Sequence, residues 1–158
     1  MTFKISRLAA VAACLMSGAL PAEADNIIGS FTVAPQIWLG NSSQAVALNT
    51  AGNKILNFGN PTAGPVSIIF TAECQITGAA SSFVDLTVLI DNSVVAPTVI
   101  NDAFCSGQGV GLGGGLAHYS LTVSKGLAIG LHSVKVIAIA VGPHIGATLD
   151  DITLFVRR

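Results

Sequence analysis

Charged residues are scarce in this sequence. Lys, Arg, Asp and Glu together make up 9% of its 158 residues, whereas soluble domains average about 25%. The net charge of −1 at pH 7 offers no basic surface for nucleic acid or an anionic membrane. Disorder is excluded, because a disordered chain is polar and charged and 51% of this chain is hydrophobic. So little charge indicates an outer surface that is Ser/Thr/Asn-rich, or one that is covered by self-association or by contact with another surface.

A sustained helical period is also missing after the first 24 residues, where apolar and polar residues alternate instead. This period of two predicts strands at 66–74, 83–90, 119–123, 131–141 and 148–156, with weaker candidates at 28–33, 36–39, 45–48 and 54–58. Asp91-Asn92 predicts a tight hairpin turn, since both residue types tolerate left-handed backbone. Short strands punctuated by Gly, Pro and Asn predict one all-β domain, an antiparallel sandwich or barrel of about eight to ten strands.

The amino terminus has the pattern of a secretory signal peptide. A basic start at Lys4 and Arg7 precedes an apolar run over residues 8–20, which is too short for a membrane span of roughly 20 residues. Ala22-Glu23-Ala24 then supplies the small-x-small cleavage pattern, so we expect cleavage between Ala24 and Asp25. The predicted organisation is a signal peptide over 1–24 and one β-domain over 25–158, secreted or periplasmic. The alternative is a lipoprotein anchored through Cys14, because residues 11–14 resemble a lipobox.

Only three cysteines occur, and cleavage removes Cys14. Cys74 and Cys105 then form an even pair with one intramolecular connectivity, which predicts a disulfide in an oxidising compartment. Closing this loop contributes about 3–4 kcal/mol in the chain-entropy treatment. Neither cysteine has a second ligand two to four residues away, so a metal site built on them is disfavoured.

The glycine-rich stretch 107–118 formally satisfies G-x-G-x-x-G at Gly109, Gly111 and Gly114. A dinucleotide fold requires a helix directly after that motif, and a P-loop requires a lysine. Here the stretch leads into an alternating strand pattern and contains no lysine. It therefore predicts a connection between strands, with the mobility that glycine allows.

Residues for catalysis are few. No G-x-S-x-G motif is present, and the histidines are His118, His132 and His144, of which His132 is predicted to face solvent on a strand and His144 to lie in a turn. Glycoside hydrolysis needs two facing carboxylates. After the signal peptide the only glutamate is Glu73, and the aspartates beyond Asp25 are Asp85, Asp91, Asp102, Asp150 and Asp151. Nothing in their spacing pairs them, so the chain is predicted not to be an enzyme.

Two phrases near the carboxyl terminus resemble jelly-roll domains of the carbohydrate-binding-module type. They are Ala147-Thr148-Leu149-Asp150-Asp151-Ile152-Thr153-Leu154, like the last strand of such domains, and Gly130-Leu131-His132-Ser133-Val134-Lys135-Val136, like the start of the strand before it. The resemblance implies a jelly-roll-like β-sandwich. It also implies that Asp150 could hold a structural calcium ion, which oxygen ligands suit, with no other cofactor.

Sugar-binding platforms use exposed aromatic side chains, and here the only polar-tipped ones are Trp38 and Tyr119. The leading prediction is therefore an exported β-sandwich with a non-catalytic binding or structural role. A lectin-like carbohydrate-binding module is the alternative, and a hydrolase is the third.

Overall fold

The computed structural model describes residues 26–38, 41–95, 103–107 and 116–158, and within them the chain forms eleven strands. They are β1 (Asn26–Thr32), β2 (Gln36–Trp38), β3 (Ser43–Ala45), β4 (Leu56–Asn60), β5 (Gly64–Gly78), β6 (Phe83–Ile90), β7 (Ser93–Val94), β8 (Ala103–Ser106), β9 (Ala117–Leu127), β10 (Gly130–Val141) and β11 (His144–Arg157). In these ranges we find no helical segment long and apolar enough to cross a membrane.

The strands form two packed antiparallel sheets, which confirms the predicted all-β sandwich. The first sheet has the order β1-β11-β5-β9, with β2 also pairing with β11. The second has the order β3-β10-β6-β7, with β4 also on β10 and β8 also on β6. His144, predicted in a turn, instead begins β11 and pairs with Gly78.

The core lies between the two sheets and follows from the period of two. In β5, alternate residues from Val66 to Ile76 are buried while their neighbours are only half-buried. The same alternation runs through β6, β10 and the carboxyl-terminal half of β11. The largest fully buried side chains include Phe70, Leu48, Ile68, Ile90, Leu149, Ile152 and Leu154. No charged residue is buried in the described ranges, so the low charge of the sequence means that the outer faces carry few charges.

The hairpin turn between β6 and β7 is confirmed. Asp91 and Asn92 have φ angles of 51° and 61°, which is the left-handed region that a two-residue hairpin needs at both central positions. Asp and Asn reach that region at lower cost than other residues with a side chain. Local turn chemistry therefore fixes the pairing of Ile90 with Ser93.

The predicted strand at 45–48 is wrong in its extent, because β3 ends at Ala45. Val46 and Leu48 are fully buried as the alternation predicts. The backbone of Ala47, however, is held by a side chain: its N–H donates to Gln36 Oε1 at 2.7 Å, and its carbonyl accepts from Gln36 Nε2 at 2.9 Å. The Gln36 amide thus takes the place of a neighbouring strand.

The disulfide between Cys74 and Cys105 is present and joins the two sheets. Cys74 lies on β5 of the first sheet, and Cys105 lies on β8, a short strand of the second sheet that the alternation did not predict. Their Cα atoms are 6.2 Å apart, across 31 positions of sequence. The bond therefore anchors β8, which pairs with β6 over only a few residues.

Gly107, directly after β8, packs tightly against the segment that leads into β6. Its N–H donates to the Ser82 carbonyl at 2.6 Å, and a Cβ at this position would lie 2.6 Å from the Ala79 carbonyl oxygen. A close backbone approach therefore explains this glycine. Residues 108–115 of the predicted glycine-rich connection lie outside the described residues. Beyond them β9 begins at Ala117, so the motif is followed by a strand and not by a helix.

Candidate functional site

The outer face of the first sheet carries a broad area without charge. Register pairs place two rows of side chains across β1, β11, β5 and β9. We call these rows the uncharged band; they are Phe31-Thr153-Thr71-Ser120 and Gly29-Phe155-Ile69-Thr122. Three strand spacings make the band about 14 Å wide. It combines two aromatic rings and one aliphatic side chain with four hydroxyl groups.

Strand β1 determines where both phenylalanines of the band lie. Phe31 is 62% exposed at the edge of the sheet. Phe155 lies over Gly29, where a Cβ would come within 2.9 Å of its ring, so the absence of a side chain at Gly29 makes room for the ring. The Arg157 guanidinium carbon lies 4.9 Å from the Phe155 ring centroid, a cation–π arrangement that marks one end of the band.

Hydroxyl groups continue along the edge strand. Ser120, Thr122 and Ser124 are exposed on the outer face of β9, and Ser124 Oγ lies 3.2 Å from Ser67 Oγ of β5. Each hydroxyl can both donate and accept a hydrogen bond. This side of the first sheet can therefore form hydrogen bonds with a ligand that carries hydroxyl groups of its own.

The outer face of the second sheet differs in character. Its centre consists of half-buried aliphatic side chains from alternate positions of β10 and β6, namely Ile137, Ile139, Val141 and Leu89. Lys135 and Asp85 interrupt it. It offers fewer hydroxyl groups than the uncharged band, so the two outer faces favour different contacts.

Charged groups collect at the other end of the band. Glu73 and Asp150 are register partners on β5 and β11, and His118 Nε2 lies 2.9 Å from Glu73 Oε1. The structure thus brings together two carboxylates that the sequence did not pair. They stand side by side on adjacent strands of one face.

Asp150 is the predicted calcium ligand. Its Oδ1 accepts the N–H of Asp151 at 2.9 Å, at a bulge of β11 where Asp151 has a φ of 45°. No cluster of three or more His, Cys, Asp or Glu side chains able to hold a metal ion occurs in the described ranges. Calcium binding stays a prediction, checked by whether millimolar calcium raises the melting temperature of the wild type but not of Asp150→Ala.

The prediction that His132 faces solvent is wrong. Its side chain is only 11% exposed, because it packs beside Phe58, with ring centroids 5.8 Å apart, and bonds to the turn of β6. Nδ1 lies 2.7 Å from Asp91 Oδ2, and Nε2 lies 3.0 Å from the Ala128 carbonyl oxygen. This pair belongs to the opposite sheet from Glu73 and Asp150, so it is a separate feature.

Tyr119, one of the two polar-tipped aromatic residues, does not lie on the outer face of the first sheet. Tyr119 points toward the core side, where its ring centroid lies 5.6 Å from that of Phe104. Trp38 lies at the end of β2, opposite Ala147. The aromatic groups on the outer face of the described part of this sheet are Phe31, which is exposed, and Phe155, which is half-buried. Ala24, Asp25, Cys14 and Asp102 lie outside the described residues.

Comparison with known proteins identifies no family. No profile of a known family matches the sequence, and no curated protein matches it. Among solved structures, the chain is similar to a family 35 carbohydrate-binding module from Clostridium thermocellum, with a TM-score of 0.38 at 15% identity over 80% of this chain and 97% of that one. It is also similar to the CBM22-1 xylan-binding domain of a Paenibacillus barcinonensis protein, with a TM-score of 0.31 at 11% identity over 84% and 95%. Both likenesses are weak.

Proposed function

We propose that this protein is a non-catalytic binding module and that the uncharged band is its contact surface for a neutral carbohydrate polymer. The observation that carries the proposal is the composition of the band: aromatic rings and hydroxyl groups lie together, and the charged side chains stand only at its two ends. Aromatic side chains pack against the apolar faces of sugar rings, while Ser and Thr pair with sugar hydroxyls. A charged ligand would find few partners there.

The test is retention on insoluble neutral polysaccharides, with cellulose and xylan as the first probes. We expect the wild type to be retained, and Phe31→Ala and Phe155→Ala each to weaken retention at least tenfold. Leu131→Ala is the matched control, since Leu131 is 80% exposed but lies on β10 of the other sheet. Retention that both phenylalanine variants leave unchanged, or no retention on any neutral polysaccharide in a broad panel, would contradict the proposal.

A separate measurement tests the proposal that the protein is not catalytic. Glu73 and Asp150 are the carboxylates that stand together on this face, and His118 binds one of them. If the protein released reducing ends from a bound polysaccharide, and Glu73→Gln abolished that release, a hydrolase would be the correct description. We expect no release above the rate of a blank.

We infer that the module acts outside the cytoplasm. The signal-peptide pattern ending at Ala24 supports export, and the disulfide between Cys74 and Cys105 is compatible with an extracellular or periplasmic location. Mass spectrometry of the protein recovered from its producing cells tests this. We expect an amino terminus at Asp25, whereas an acylated Cys14 would identify a lipoprotein.

A further inference from the structure

The exposed edge of β9 differs from every other edge in the described part of the molecule. The other edge strands are short or irregular: β2, β3, β4, β7 and β8 have five residues or fewer, and β1 has a register shift between Asn26 and Ile28. By contrast, β9 has 11 residues and pairs with β5 in one unbroken register from Ala117 to Leu127. Within the described ranges no strand pairs with its other side.

Such an edge is a template for another strand, because a row of its backbone N–H and C=O groups has no ladder partner among the described strands. Proteins usually protect an edge with proline, bulges or several charges. β9 contains no proline and one fixed charge, Lys125. Tyr119 and Leu121, on its inner side, are only partly buried against the core, so an added strand would cover them further.

We propose that β9 pairs with β9 of a second copy, antiparallel about a two-fold axis at Thr122, and so joins two first sheets into one continuous sheet. Thr122 is the midpoint of the strand, so this register uses all of its residues. On the outer side it sets Thr122 opposite Thr122 and Ser120 opposite Ser124, pairs of hydroxyl groups that favour strand pairing. On the inner side it sets Leu121 opposite Val123.

Charge does not oppose the antiparallel arrangement of two copies. Lys125 lies near one end of β9, on its inner side opposite Val66 of β5. Antiparallel pairing sets Lys125 of one copy opposite Tyr119 of the other, so no lysine meets another lysine. A closed two-fold contact of this kind also leaves no second β9 edge for further growth.

The experiment measures molar mass by light scattering and sedimentation over a range of concentrations, on the protein as its producing cell processes it. We expect a reversible dimer for the wild type. Thr122→Lys places two lysines directly opposite each other on the axis, so its dissociation constant should rise at least tenfold. Asn57→Lys adds the same charge at an exposed position of β4 and should leave the dimer unchanged.

A mixing experiment tests the register itself. Thr122→Glu should also be monomeric, but an equimolar mixture of Thr122→Lys and Thr122→Glu should form mixed dimers, because each lysine then faces a glutamate. A wild type that is monomeric at every concentration would overturn the proposal, as would a dimer that Thr122→Lys does not weaken.

Hydrogen exchange of the wild type gives a readout that depends on no variant. Alternate amides of β9 should exchange more slowly at high than at low protein concentration, since pairing protects those that point away from β5. Exchange independent of concentration in β9 would contradict the proposal. None of these measurements uses a polysaccharide, so the result does not depend on the proposed ligand.

Discussion

His132 donates hydrogen bonds from both ring nitrogens when it is protonated, and Asp91 receives one of them. The Nδ1–Oδ2 distance is 2.7 Å, and Nε2 lies 3.0 Å from the Ala128 carbonyl oxygen. Both partners are acceptors, so the doubly protonated imidazolium is the form that satisfies both contacts. Asp91 Oδ1 accepts the Ser133 N–H at 2.8 Å. The pair thereby ties the turn after β6 to the turn between β9 and β10.

These contacts shift both pKa values. The hydrogen bond to Asp91, and then the one to the Ala128 carbonyl, raise the pKa of His132 above 6.5. The hydrogen bond from His132, and then the Ser133 N–H, lower the pKa of Asp91 below 3.8. The histidine contribution to stability is therefore complete below pH 6.5 and is lost as pH rises through the raised pKa. The aspartate contribution is complete above pH 3.8 and is lost as pH falls through the lowered pKa.

The first prediction follows from these signs. Between pH 5.5 and pH 8.5 the melting temperature of the wild type should fall by a few degrees, because a partly exposed pair contributes about 0.2–1 kcal/mol. Asp91→Asn keeps a residue that accepts the left-handed φ of this turn but removes the carboxylate, so its fall should be clearly smaller. An equal fall in both proteins would show that the pH dependence does not come from this pair.

The second prediction concerns the disulfide. Replacing Cys74 and Cys105 together by Ala should lower the free energy of unfolding by about 3–4 kcal/mol, mainly because the unfolded chain gains freedom. Urea unfolding with and without a reductant measures this. Reductant should weaken the wild type and leave the double variant unchanged. If reductant weakened both proteins equally, its effect would not come from this bond.

The third prediction concerns Gly142, where both the backbone conformation and the lack of space for a side chain favour glycine. Gly142 has a φ of 91°, and a Cβ there would lie 3.0 Å from the Ser82 Cα and 3.1 Å from the Ser81 carbonyl. Gly142→Ala should therefore cost about 1–3 kcal/mol of unfolding free energy. Gly59→Ala is the control, because nothing lies within 4 Å of its added Cβ. Thermal unfolding of the two variants should separate them clearly.

The sequence predicts the long strands well because their period of two is a local property. The predicted strand at 83–90 coincides with β6, and those at 66–74 and 148–156 lie within β5 and β11. The boundaries at 45–48 depend on the Gln36 side chain, eleven positions away from Ala47, and no local pattern contains that contact. Likewise β8 is short and depends on the distant Cys74 for its anchor.

In the candidate site, too, local patterns predict some features, whereas others depend on contacts between distant residues. Alternation was enough to place Phe155 on an outer face, but only the register of β1 on β11 shows that Gly29 makes room for its ring. The contact of His132 with Asp91 joins positions 41 apart. It could not be foreseen from residue spacing, which is why His132 was wrongly predicted to face solvent.

The last prediction separates stability from binding at two neighbouring residues of β5. Ile68 is fully buried, whereas Ile69 is half-buried on the opposite face, in the uncharged band. Ile68→Ala should cost about 2–5 kcal/mol of unfolding free energy, because it leaves a cavity in the core. Ile69→Ala should cost about 1 kcal/mol or less but should weaken polysaccharide retention. Urea unfolding and a retention assay on both variants check this. Equal losses of stability would mean that the alternation of β5 does not separate core from surface, and unchanged retention for Ile69→Ala would place the ligand elsewhere.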